Sequence, residues 1–220
     1  MSCSFKNKLI CCLSLFLLNP VLANEIESLK YDARLCSAQL LVIDGDSKRL
    51  QNTATKQHHK TGLKQRISSA LGTLSWLCKR YVYVNGMNDF QYEKVIENIR
   101  TSYKAKDWPM FNKNMDYLML KMPLKIEAFD LQQVSRETLN TSKSIYLHYC
   151  KACHHQPNQD SETPAYSLFD MAKKISLKEF LARMLVGIHG TPEIALRNPL
   201  SNDDIAGMTH YFLNTYKATY

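Results

Sequence analysis

Cys150, Lys151, Ala152, Cys153 and His154 stand in a row. Two thiols three positions apart, followed at once by an imidazole, form the C-x-x-C-H pattern read as a c-type haem attachment site. The spacing has a chemical reason. Cys150 and Cys153 can each form a thioether with one vinyl group of the same haem, and His154 then lies beneath the iron as its proximal axial ligand. A chain with this arrangement handles electrons. Two other chemistries use a pair of cysteines at this spacing, a thioredoxin-type dithiol and half of a zinc site. No βαβ pattern surrounds these cysteines and no second Cys/His pair completes four ligands. One covalent haem c is therefore the expected cofactor.

Covalent haem attachment in bacteria takes place outside the cytoplasm, so the N-terminus bears on the same question. Lys6 and Lys8 precede a ten-residue apolar run, residues 9–18, which Asn19 and Pro20 break before Val21, Leu22 and Ala23. This is the form of a signal peptide, 1–23, and the run is shorter than the ~18 apolar residues of a membrane-spanning helix. Cys11 and Cys12 lie within the run, not just after its small residues, which argues against a lipid-anchored cysteine. Cleavage after Ala23 predicts a periplasmic protein of 197 residues. Its cysteines are Cys36, Cys78, Cys150 and Cys153. With two assigned to haem, Cys36 and Cys78 are expected as a disulfide in an oxidising compartment, two buried free thiols being the alternative.

Removing Lys6 and Lys8 lowers the formal charge from +8 to +6. Residues 24–128 hold 17 Lys and Arg against 11 Asp and Glu; residues 129–220 hold 9 of each. The basic excess thus lies in the N-terminal half, where it suits an acidic redox protein or an anionic membrane face reached through a partner complex. Nucleic acid is a poor partner for an exported chain, and no small-molecule substrate is expected.

The elements that must position these residues read as helices nearly throughout. Leu29, Ala33, Cys36, Leu40 and Ile43 form one apolar stripe; Leu63, Ile67, Ala70, Leu74 and Tyr81 form a second, with Cys78 at its edge. Tyr92, Val95, Ile99 and Tyr103 form a third, and Trp108, Phe111, Met115, Leu118 and Met122 a fourth, opened by Asp107 as N-cap and closed before Pro123. Gly45-Asp46 and Asn85-Gly86 read as short polar links. The fold class is all-α, with residues 24–128 a four-helix-bundle-like domain of unassigned role, residues 124–139 a hinge, and residues 129–220 a smaller domain. His58 and His59 read as solvated residues of a polar loop, and Met110, Met115, Met119 and Met122 as core filler.

The C-terminal part carries more specific signals. Ser142-x-x-x-Tyr146-x-x-x-Cys150 leads into the haem motif, and Leu200-Ser201-Asn202-Asp203-Asp204-Ile205 opens a final helix through Met208, Tyr211 and Phe212. Ser201 and Asp204 have the form of a capping box. Between the haem motif and this last helix, Leu177, Leu181, Leu185 and Ile188 make another amphipathic helix. Residues 130–220 resemble a small class I cytochrome c domain. The resemblance implies that a helix bearing a small residue and an aromatic crosses the C-terminal helix. Tyr146 and Tyr211 take the aromatic places, and Ser142 replaces the usual glycine. It also implies a methionine as second axial ligand from the loop before the last helix. That loop, residues 187–199, contains no methionine and has Thr191-Pro192 where a Met-Pro pair would stand. The distal ligand is left between His189, an open or water-filled site, Met184 or Met171, and a methionine from the fourth helix of the N-terminal half. Met208 reads as core, His148 and His155 lie too close to the attachment site to reach the opposite face, and His210 reads as a surface neighbour of Tyr211.

The expected function is that of a periplasmic monohaem c-type cytochrome carrying electrons between redox partners, an electron-transfer protein and not an enzyme in its own right. A haem protein whose open or labile sixth site binds a gas or peroxide, as a sensor or small oxidoreductase, is the alternative, as is a haem subunit of a larger oxidoreductase complex.

Overall fold

The structure, a computed structural model, describes residues 30–31, 33–87, 90–155, 160–162, 164–187 and 200–214. The expected signal peptide and His189 lie outside the described residues. Among the described residues every regular element is helical, so the fold is all-α.

The first helix, α1, covers residues 33–51 and runs straight through Gly45 and Asp46. The link expected there is thus an error of reading: the turn follows at residues 52–56, where Asn52 Oδ1 accepts from the Ala54 amide at 2.9 Å. Gly45 sits inside the helix because another chain segment lies against it; a methyl group there would overlap the Glu179 carboxylate. α1 is also buried on opposite faces. Cys36, Leu40 and Ile43 face one core, while Ala38 and Val42 face another. A helix with apolar residues on two faces packs between two layers.

α2 (Gln57–Val84) ends at Asn85 and Gly86, whose φ of +63° falls in the left-handed region open to glycine. α3 (Tyr92–Ala105) closes on Lys106, also left-handed, with φ 58°. α4 (Trp108–Lys121) opens on Asp107, which accepts from the Met110 amide at 3.1 Å as the sequence suggests. Cys36, Leu74, Ile96, Ile99, Phe111 and Met115 bring α1 to α4 into one core. Met115 and Met122 are buried there, whereas Met110 is exposed and fills no core.

Cys36 and Cys78 form a disulfide, with Cα atoms 4.8 Å apart. It ties α1 to α2 across a separation of 42 residues, a loop whose closure is worth about 4 kcal/mol on the chain-entropy account. Met122 Sδ lies 3.4 Å from Cys36 Sγ. The bridged sulfur has no proton to donate, so this is a packing contact between two sulfurs.

A second core joins the halves. Ala38 and Val42 of α1 pack with Leu181 and Leu185 of α8 (Leu177–Val186) and Ile205 of α9 (Asn202–Asn214). The segment expected as a hinge enters this core through Leu124 and Phe129, both buried, and turns once as a 3₁₀ helix, Ile126–Ala128. Beside it lies an ionic clasp. Asp46, only 1% exposed, takes Arg66 Nε at 2.5 Å and Arg183 Nη2 at 2.7 Å, and Arg49 at 3.1 Å. Glu179 holds Arg183 at 2.8 Å and Arg49 at 2.7 Å.

α5 (Arg136–Ile145), a π-helical turn (Tyr146–Cys150) and α6 (Lys151–His154) follow one another without a break. α7 (Leu168–Lys174) comes between this rod and α8. Ser135, Ser167 and Ser176 cap α5, α7 and α8 by accepting from the amides of Thr138, Asp170 and Glu179.

Candidate functional site

The rod ends on the motif. The π turn finishes at Cys150, and Cys153 and His154 follow within α6. Cys150 is half-buried against an aromatic core, Cys153 is exposed, and neither is in a disulfide. Burial, and then the charge of Cys153, push the Cys150 thiol above its ordinary value. A thiol held protonated in this way is the opposite of what a dithiol oxidoreductase needs, where the attacking cysteine is depressed. Among the described residues no three or more of His, Cys, Asp and Glu come together as a metal site.

His154 has a fixed orientation. Its Nδ1 lies 2.6 Å from the backbone carbonyl oxygen of Tyr166. A carbonyl only accepts, so Nδ1 carries the proton and donates it. In the neutral ring Nε2 is then the free lone pair, the form in which histidine binds a metal.

Above the cysteines lies a cluster of rings. Tyr146 meets Phe169 at 5.3 Å and Phe212 at 5.5 Å edge-on, and Tyr211 at 6.0 Å. The Tyr146 phenol oxygen is buried and finds no hydrogen-bond partner among the described residues. An unpaired buried hydroxyl costs about 1–3 kcal/mol, so a group with polar atoms seated beside Cys150 would satisfy it. This, with the oriented imidazole and two accessible thiols, is the respect in which these residues fit a haem.

The rod crosses α9 at small residues. Ser142 is fully buried and donates to the Thr138 carbonyl at 2.8 Å. A methyl group on Gly207 of α9 would overlap Ser142 Oγ and come within 2.6 Å of Thr138 Cγ2. The glycine of this crossing therefore lies on the second helix, not the first. Gly207→Ala is expected to destabilise the fold by about 1–2 kcal/mol, overpacking outweighing the gain in helix propensity. Urea unfolding measures this, and Ser142→Gly in the same chain should recover part of the loss. α9 itself opens as the sequence implies: Asp204 accepts from the Ser201 amide at 2.9 Å and Ser201 Oγ from the Asp204 amide at 3.1 Å. Ile205, Met208 and Phe212 are fully buried on its inner face. On α8, Phe180 is buried where Leu177 was expected; Ile188 lies outside the described residues.

The remaining candidates are dispersed. Met184 is partly buried between the second core and the aromatic cluster, and Met171 packs against that cluster alone. His148 turns back on its own helix, Nδ1 2.8 Å from the Ser144 carbonyl oxygen, and His155 is exposed. His210 is partly buried beside Tyr211, with its Nδ1 shielded from solvent. His58 and His59 are corrected most. They belong to the first turn of α2, and His59 is 7% exposed, its ring edge-on to Tyr166 at 6.4 Å. A doubled histidine among polar residues gives no sign of burial from sequence, because the apolar surface covering it comes from a distant segment. No family model, curated protein or solved structure matches this chain.

Proposed function

We propose that this chain is a periplasmic monohaem c-type cytochrome that carries electrons between redox partners, with Cys150 and Cys153 tethering the haem and His154 as proximal ligand. The observation that supports this most is the 2.6 Å contact from His154 Nδ1 to the Tyr166 carbonyl, which leaves Nε2 as the ligating nitrogen one position beyond Cys153. A bound haem supplies a one-electron ferric/ferrous couple. The polypeptide contributes the anchor, the oriented imidazole and the apolar packing of Tyr146, Phe169 and Phe212 beside Cys150, surroundings of a kind that tune the potential. The resemblance of residues 130–220 to class I cytochrome c domains supports the same reading. The basic excess of residues 24–128 suits an acidic redox protein as donor or acceptor.

The test is a pyridine haemochrome spectrum of the exported, denatured protein, which identifies a pigment bound through sulfur. Pigment extracted by acidified acetone would overturn the proposal. Carbon monoxide added to the ferrous protein then separates the two uses of such a haem. A spectrum unaffected by the gas fits an electron carrier with two strong ligands, and rapid, complete complex formation fits a gas- or peroxide-binding site.

A further inference from the structure

α2 presents His59, Leu63 and Arg66 along one stripe, at spacings of four and three. These residues line a small cleft with Glu162, Pro164 and Tyr166, the segment that leads to the His154 contact. The cleft has a volume of ≈ 10 Å³, about room for one water molecule, and is a seam between packed elements, not a ligand pocket. Two contacts run in series across it. His59 is buried at the base of α2, its ring stands edge-on to the Tyr166 ring at 6.4 Å, and the Tyr166 carbonyl takes the proton of His154 Nδ1 at 2.6 Å. Arg66, at the other end of the stripe, is held by Asp46, so the stripe is anchored to the clasp that joins α1 to α8.

We propose that His59 is a positioning residue for the proximal imidazole, and that bracing the Tyr166 segment is a role of the N-terminal helices. The proposal rests on the reading of Cys150, Cys153 and His154 as a haem site. Tyr166 is itself partly exposed, and the described residues before it, 160–162 and 164–165, belong to no helix. A carbonyl in such a segment holds a hydrogen-bonding position only if something fixes it, and edge-on ring packing against a buried residue does so. The electronic consequence has a definite sign. A firm hydrogen bond from Nδ1–H makes Nε2 a stronger donor and favours ferric iron. Loosening Tyr166 weakens that bond and favours the ferrous state.

The experiment is potentiometric titration of the purified holoprotein. His59→Ala is expected to raise the midpoint potential, shifting the ferric/ferrous equilibrium about tenfold, or about 59 mV for one electron. Amide exchange at Ala165 and Tyr166 should accelerate with it. His59→Phe, which keeps a ring against Tyr166, should stay within about twofold of the unsubstituted protein in that equilibrium. Should His59→Ala fail to accumulate, Tyr166→Ala removes the ring from the other side, keeps the carbonyl and should give the same rise. Ile96→Ala in the core of α3 is the control for general loosening. A pigmented His59→Ala protein with an unchanged potential overturns the inference alone, as does an Ile96→Ala shift of equal size. A protein without covalent pigment overturns the haem reading as well.

Discussion

The double substitution Cys150→Ala, Cys153→Ala should give a polypeptide with no covalently held pigment, the largest effect any change in this chain can have on its spectrum. On the haem reading both covalent bonds to the cofactor end at these sulfurs, neither of which is in a disulfide. His154→Ala is the informative companion. The thioethers can still form, but the iron loses the nitrogen that the Tyr166 carbonyl orients. The expected product is pigmented, with a ferric spectrum that differs from that of the unsubstituted protein. Haem-stained denaturing gels and ferric absorption spectra read the two outcomes separately. Pigment persisting covalently in the double variant would remove the basis of the proposed function.

Asp46→Asn should destabilise the fold by about 3 kcal/mol, near the lower end of what breaking a buried ion pair costs. Arg183 and Arg66 would lose their shared carboxylate, although Glu179 would still hold Arg183 at 2.8 Å. Burial alone would raise the Asp46 carboxyl, but Arg183 and Arg66 outweigh it and hold the group below its ordinary value. A depressed carboxylate contributes stability that is complete above its unfolded pKa of about 3.9 and is lost as pH falls through the lower, folded value. The unsubstituted protein should therefore weaken steeply below about pH 4, and Asp46→Asn should flatten that limb while lowering stability at neutral pH. Urea midpoints measured across pH test both signs together.

How far the fold can be read from the chain depends on whether a signal is local. Asp107 and the Ser201–Asp204 box are local, since a short polar side chain reaches an amide three residues on, and both form as expected. The disulfide follows from the even cysteine remainder and from two stripes that share a core. Gly45-Asp46 misleads because the same dipeptide suits a turn in water or a tight contact in the interior. Only Glu179 and Arg183, far along the chain, decide for the second. The opposite face of α1 is hidden for a related reason: Ala38 is small, and Leu35 and Leu41 beside it are only partly buried, so one apolar stripe conceals another. At the site, the order of thiols and imidazole was legible. The carbonyl that orients His154 was not, because a backbone atom of Tyr166 carries no signature in its side chain. Gly207 could have been found by asking which helix supplies the small residue once Ser142 replaces glycine.

The wide turn between Tyr146 and Cys150 acts as a phase shifter. A π bulge amounts to one residue added to an α-helix, and each residue advances the helix by about 100°. Upstream of it, Ser142 and Tyr146 aim at α9; downstream, Cys150 and His154 take an azimuth that an unbroken helix would not give them. Straightening that turn into plain α-helix with the sequence unchanged would rotate Cys150, Cys153 and His154 by about 100° and advance them by about 1.5 Å, away from the carbonyl waiting for His154.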